Sequence, residues 1–67
     1  MTNYENLPRL LTIDELAGQL AITVRHVRRL VAEKRVPYVK VGRLIRFDAA
    51  EIMEWIESRR VSGSRTA

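Results

Sequence analysis

Apolar residues recur at spacings of three and four in two stretches of the first half of the chain. Ile13, Leu16, Ala17 and Leu20 share one helical face, and Thr12 with Glu15 forms a capping-box start just before them. The helix this predicts covers Ile13 to Leu20. Ala21 and Ile22 make a short break, because Thr23 reads as a fresh N-cap. A second helix then runs from Val24 to about Glu33, with Val24, Val27, Leu30 and Val31 as its apolar positions. Two helices joined by so short a turn cannot lie end to end, and a steep crossing follows.

The pattern changes at VPYVKVGRLIRF, residues 36–47. Pro37 excludes a continuing helix and the β-branched residues favour strand, with Gly42 marking a hairpin turn. The register that sorts the side chains best has a three-residue loop of Gly42, Arg43 and Leu44. It pairs Val41 with Ile45 and Val39 with Phe47, so that these four share a buried face. Lys40 then faces Arg46 on the other side, a like-charge pair that a phosphate between them would relieve. Asp48 and Glu51 form a second capping-box-like start for a last helix running to about Arg59. Its apolar stripe is Ile52, Trp55 and Ile56 with Ala49 and Met53, which assigns Trp55 to the core. Residues 1–11 read as extended, with Pro8 keeping Leu7 out of a helix. The division expected is a lead-in (1–9), one mainly α domain with a β-hairpin (10–60), and a disordered basic tail (61–67).

Sixty-seven residues hold one small core. A self-contained enzyme, which needs a pocket and a rigid shell around it, is not expected at this size. The absence of cysteine removes disulfides, Cys-type zinc sites and a thiol nucleophile. No apolar run approaches the roughly 18 residues of a membrane span. MTNYENLPRLL lacks the basic start and apolar middle of a signal peptide. The expectation is a cytoplasmic module that works by binding, without a cofactor.

Charge narrows the partner. The chain carries +4, unevenly spread. Residues 1–22 set Arg9 against Glu5, Asp14 and Glu15, a balance of −2. Residues 48–67 set Arg59, Arg60 and Arg65 against Asp48, Glu51, Glu54 and Glu57, a balance of −1. Between them, Arg25, Arg28, Arg29, Lys34, Arg35, Lys40, Arg43 and Arg46 meet only Glu33, which leaves +7. Such a block repels itself unless a polyanion neutralises it, so nucleic acid is a better reading than a merely solvated face.

The second helix is the strongest candidate site. Its apolar stripe can hold it on a scaffold while Thr23, Arg25, His26, Arg28 and Arg29 face outward to base edges and phosphates. Arg25 and Arg29, four apart, project from one strip. Lys40, Arg43 and Arg46 give the hairpin the size and charge of a DNA-contacting wing. Glu51, Glu54 and Glu57 read as a solvated helix face, or as a dock for a neighbouring copy's basic surface, and nothing near them suggests acid/base catalysis. His26 stands alone among arginines and makes a poor metal ligand. Neither GxGxxG nor GxxxxGK[ST] occurs.

Leu10 to Ile56, LLTIDELAGQLAITVRHVRRLVAEKRVPYVKVGRLIRFDAAEIMEWI, resembles the excisionase-type DNA-binding domain, a MerR-like winged helix-turn-helix. VPYVKVGRLIRF followed by an acidic cap and EIMEWI is the most specific part. The resemblance implies a second helix in the major groove and a hairpin wing on the adjacent backbone or minor groove. It carries DNA contact to Thr23, Arg25, His26, Arg28, Arg29, Lys40, Arg43 and Arg46. Where the family commonly has glycine after the second helix, this chain has Lys34. A left-handed Lys34 costs roughly 1 kcal/mol relative to glycine, and a helix end of another shape avoids that cost. The sequence leaves both open.

The resemblance also implies two roles. One is a recombination directionality factor of a phage or other integrating element, which binds and bends attachment-site DNA and helps a separate integrase excise it. The other is a small transcriptional regulator. A stand-alone chain with only a short basic tail favours the first, with several copies sharing one stretch of DNA. A protein-interaction adaptor for an acidic partner is the alternative of another class.

Overall fold

The computed structural model describes residues 7–62. Its elements run β1 (Leu10–Leu11), α1 (Ile13–Leu20), α2 (Val24–Ala32), β2 (Val39–Val41), β3 (Leu44–Asp48) and α3 (Ala49–Ser58). The strands form one antiparallel sheet in the order β1-β3-β2. Three helices with a small sheet and a projecting hairpin make a winged helix-turn-helix. Part of the expected tail, residues 63–67, lies outside the described residues, as do residues 1–6 of the lead-in.

Local chemistry starts each helix where the sequence predicts. Thr12 and Glu15 exchange both bonds of a capping box, at 3.1 and 2.9 Å. Thr23 Oγ1 accepts the His26 amide proton at 3.0 Å. Asp48 Oδ1 accepts from the Ala50 amide, without the reciprocal bond from Glu51 that completes a box.

The ends of α1 and α2 are built alike. The Ile22 amide reaches back to the Ala17 carbonyl and the Ala21 amide to that of Gly18, around Ala21 at φ 58°. Likewise the Arg35 amide bonds the Leu30 carbonyl and the Lys34 amide that of Val31, around Lys34 at φ 56°. Both are Schellman ends whose left-handed residue is not the usual glycine. Lys34 therefore does adopt the left-handed conformation.

The core joins Leu11, Leu16, Ala17, Val27, Leu30, Val36, Phe47 and Ile52 in a single cluster, with Leu16, Val27 and Phe47 fully enclosed. Leu11 and Phe47 pair across β1 and β3 and share its inner face. The stretch read as extended ends in an edge strand, Leu10–Leu11, inside the expected domain, and the Arg9 carbonyl of the lead-in accepts from the Ala49 amide to fix where α3 begins.

Three expectations are corrected. The hairpin pairs Val39 with Arg46, Lys40 with Ile45 and Val41 with Leu44 around a two-residue loop, Gly42–Arg43. Gly42 has φ 62° while Arg43 keeps an ordinary φ, the pattern of a tight turn with glycine first, whose twist suits the flanking strands. Turn geometry overrode side-chain sorting. Ile45 and Phe47 face inward as expected, but Val39 and Val41 turn to the outer face, and Lys40 and Arg46 lie on opposite faces rather than opposed. Met53 leaves the core stripe, 61% exposed on α3. Trp55 sits at the core margin, half-buried, instead of inside it.

The left-handed lysine yields a stability test. Lys34→Gly should stabilise the domain by about 1 kcal/mol and raise the melting temperature by roughly 4–8 °C. Calorimetry or circular dichroism melts measure this, and an unchanged or lower midpoint would contradict it.

Candidate nucleic-acid interface

Helix α2 buries Val27 and Leu30 and half-buries Val24 and Val31 against the rest of the domain. At 100° per residue, Arg25 and Arg29 then point most directly away from the core, with Arg28 and His26 on opposite flanks. Thr23, Arg25, His26, Arg28 and Arg29 are all exposed. The structure thus brings the five helix residues onto one accessible surface. Thr23 has a structural task there as well, since its hydroxyl caps the helix.

The start of α2 differs electrostatically from the other two. Acidic residues occupy the first turn of α1 (Asp14, Glu15) and of α3 (Glu51), and none occupies that of α2. The positive end of its dipole is left uncompensated beside Arg25, an arrangement that favours an anion. Among the described residues, Arg25, Arg28, Arg29, Lys40, Arg43 and Arg46 enter no ion pair. Of the basic block only Arg35 does, with Glu33 at 2.9 Å.

On the hairpin, Lys40 and Arg43 are exposed. Arg46 is half-buried, and its Nη1 donates to the Ile45 carbonyl at 2.8 Å. The three cations therefore do not form one strip. Arg43 stands at the tip, Lys40 on the face of Ile45 and Arg46 on the face of Val39.

A second basic feature was not legible in the spacing. Beside α2 lies an open groove of about 290 Å³ whose lining includes Ile22, Leu30 and Trp55 together with His26, Arg35 and Arg59. The Trp55 indole N–H donates to the Arg35 carbonyl at 2.8 Å, and the Arg59 guanidinium lies 4.5 Å from the Trp55 ring centre. Arg59 Nη2 also donates to that carbonyl, at 3.3 Å. These contacts cross 20 and 24 residues, so no local pattern announces them.

The acidic strip of α3 is partly neutralised in its own chain. Arg60 donates to Glu57 at 2.8 Å and holds its carboxyl below the usual carboxylate range. No ion pair among the described residues engages Glu51 or Glu54.

The family model of the helix-turn-helix domain matches residues 10–60. The chain belongs to the helix-turn-helix domain family. This is a DNA-binding domain found in excisionase-like proteins, and it makes DNA the partner. No curated protein and no solved structure matches the chain. No helix among the described residues is long and apolar enough to cross a membrane.

The double use of Thr23 can be separated. Thr23→Ala should destabilise the domain by about 1 kcal/mol through the lost cap, and Thr23→Ser should restore most of it. Denaturant titration of both variants tests this. A Thr23→Ala domain as stable as the parent would remove the capping role.

Proposed function

We propose that this protein is a sequence-specific DNA-binding protein of the excisionase type, acting in the cytoplasm by binding rather than catalysis. Helix α2 enters the major groove, with Arg25 and Arg29 reading guanine edges or gripping phosphates and Thr23, His26 and Arg28 beside them. The hairpin lies on the neighbouring backbone through Lys40, Arg43 and Arg46. Bound in several copies at an attachment site, the protein bends the DNA and assists an integrase in excision. Glu51 and Glu54 are the residues that meet a neighbour's basic surface. The observation that carries the reading is the separation of faces on α2: Val27 and Leu30 are buried while every cation of the helix is exposed and enters no ion pair among the described residues. The excisionase role draws its support from the resemblance of Leu10–Ile56, and a small transcriptional regulator would use the same surface.

Arg25→Ala and Arg29→Ala should each weaken binding to a selected site by about 1–3 kcal/mol. Footprinting on attachment-site DNA with and without the integrase separates the two roles. Dependence of excision on this protein supports the first, and an effect on transcription alone supports the second.

Five exposed cations on α2 and the hairpin, with Arg46 at the margin, also set a salt dependence. Contacts to roughly 4–6 phosphates give a slope of log affinity against log salt of about −4 to −5. Replacing Lys40 and Arg43 by Ala should flatten it by about 2. An unchanged slope would take the hairpin off the DNA.

A further inference from the structure

We infer that the outer face of the hairpin tip is an apolar wedge, in which Val41 and Leu44 enter the minor groove and part a base step while the surrounding cations hold the flanking phosphates. This rests on the DNA-binding reading above and adds to it a contact that carries no charge.

The register creates the wedge. Val41 stands directly opposite Leu44, and the two are 50% and 53% exposed at the end of a hairpin that projects from the core. Val39, half-buried, continues the same face back toward the core beside Arg46. In a sheet with one solvated face, that face normally carries polar side chains. Here the outer face is apolar at its most distant point, and Lys40 occupies the inner one. The two-residue turn at Gly42–Arg43 imposes this arrangement, and water gains nothing from it.

The neighbouring charges point to the occupant. The centres of protein–protein contacts are depleted of charged residues. The Val41–Leu44 pair instead has Arg43 at the turn beside it, Arg46 on its own face and Lys40 behind it, none of them ion-paired among the described residues. Arg46 folds its guanidinium back to the Ile45 carbonyl, which leaves the apolar pair the foremost part of that face. Apolar side chains set among arginines match the chemistry of a minor groove. Its sugars and base edges accept apolar contact, its narrow stretches attract cations, and Leu-sized wedges unstack base steps there. Parting a step is easiest at pyrimidine–purine steps, so the wedge would add a preference for TA or CA/TG under the hairpin that needs no hydrogen bond to a base.

The test uses the full chain and duplexes of about 30 base pairs that the protein recovers from a random-sequence pool, with 2-aminopurine placed in turn across the protected stretch. Binding should raise the fluorescence at one step, as unstacking does. The Val41→Thr/Leu44→Thr variant keeps strand-compatible side chains and should match the parent in circular dichroism. It should lose the fluorescence rise and bind roughly tenfold or more weakly at an unchanged salt slope. No rise at any step, or a variant that retains both rise and affinity, overturns the wedge. So does a variant that loses only cooperative loading at unaltered single-site affinity, which would make the patch a contact between copies. Failure of the parent to recover any duplex in a salt-dependent manner is a separate result, obtained before any substitution, and it overturns the DNA-binding reading itself.

Discussion

Strand β3 is bonded along both edges, to β1 and to β2, and buries Phe47 completely on its inner face. Helices α1 and α3 both pack against it. A chain of this size without disulfides has few places to gather apolar area, and this strand is where the layers meet. The two-residue strand β1 belongs to that arrangement. Leu11 closes the core over Phe47, and the Arg9 carbonyl ties the same segment to the start of α3. Truncating Phe47 would open a cavity in the middle of this core cluster, where large-to-small changes cost about 3–5 kcal/mol, a large part of what a small domain has.

The position of the hairpin relative to α2 depends on a second, smaller constraint. Between them the chain passes through left-handed Lys34 and then Arg35, whose carbonyl receives the Trp55 indole proton. Trp55 thus fastens the turn after α2 to the far end of α3, and Arg59 stacks on the same ring. A half-buried tryptophan with a satisfied N–H does more here than fill space. It orients the segment that carries the basic residues from α2 into the hairpin.

The charge distribution follows the same architecture. Acidic residues occupy the first turns of α1 and α3, and Glu57 is held by Arg60, while α2 starts without a carboxylate and exposes arginines that enter no ion pair among the described residues. A domain that needed only solubility could mix its signs. This one concentrates positive charge on α2 and the hairpin, where mutual repulsion is tolerated because the side chains are solvated and is relieved when a polyanion arrives.

The three helices were legible in the sequence because their causes are local. Thr12, Thr23 and Asp48 cap within three residues, and the buried Leu16, Val27, Leu30 and Ile52 fall on faces that a period of 3.6 already marks. The exposed basic surface of α2 was legible for the same reason, being the complement of its apolar stripe. The hairpin was legible as a hairpin but not in its pairing. Side-chain alternation and turn preference disagreed there, and the left-handed Gly42 decided for the two-residue loop. That decision placed Val41 and Leu44 in solvent and parted Lys40 from Arg46. The pairing of Leu11 with Phe47 and the bond from Trp55 to Arg35 join residues far apart in the chain, and no local pattern encodes them. Local residue order was enough for the helices, their caps and the sign of the α2 surface. Only the packed structure decided the register, the edge strand and the tryptophan tie, because each depends on a contact whose partner is far off or a turn whose geometry outweighs the pattern around it.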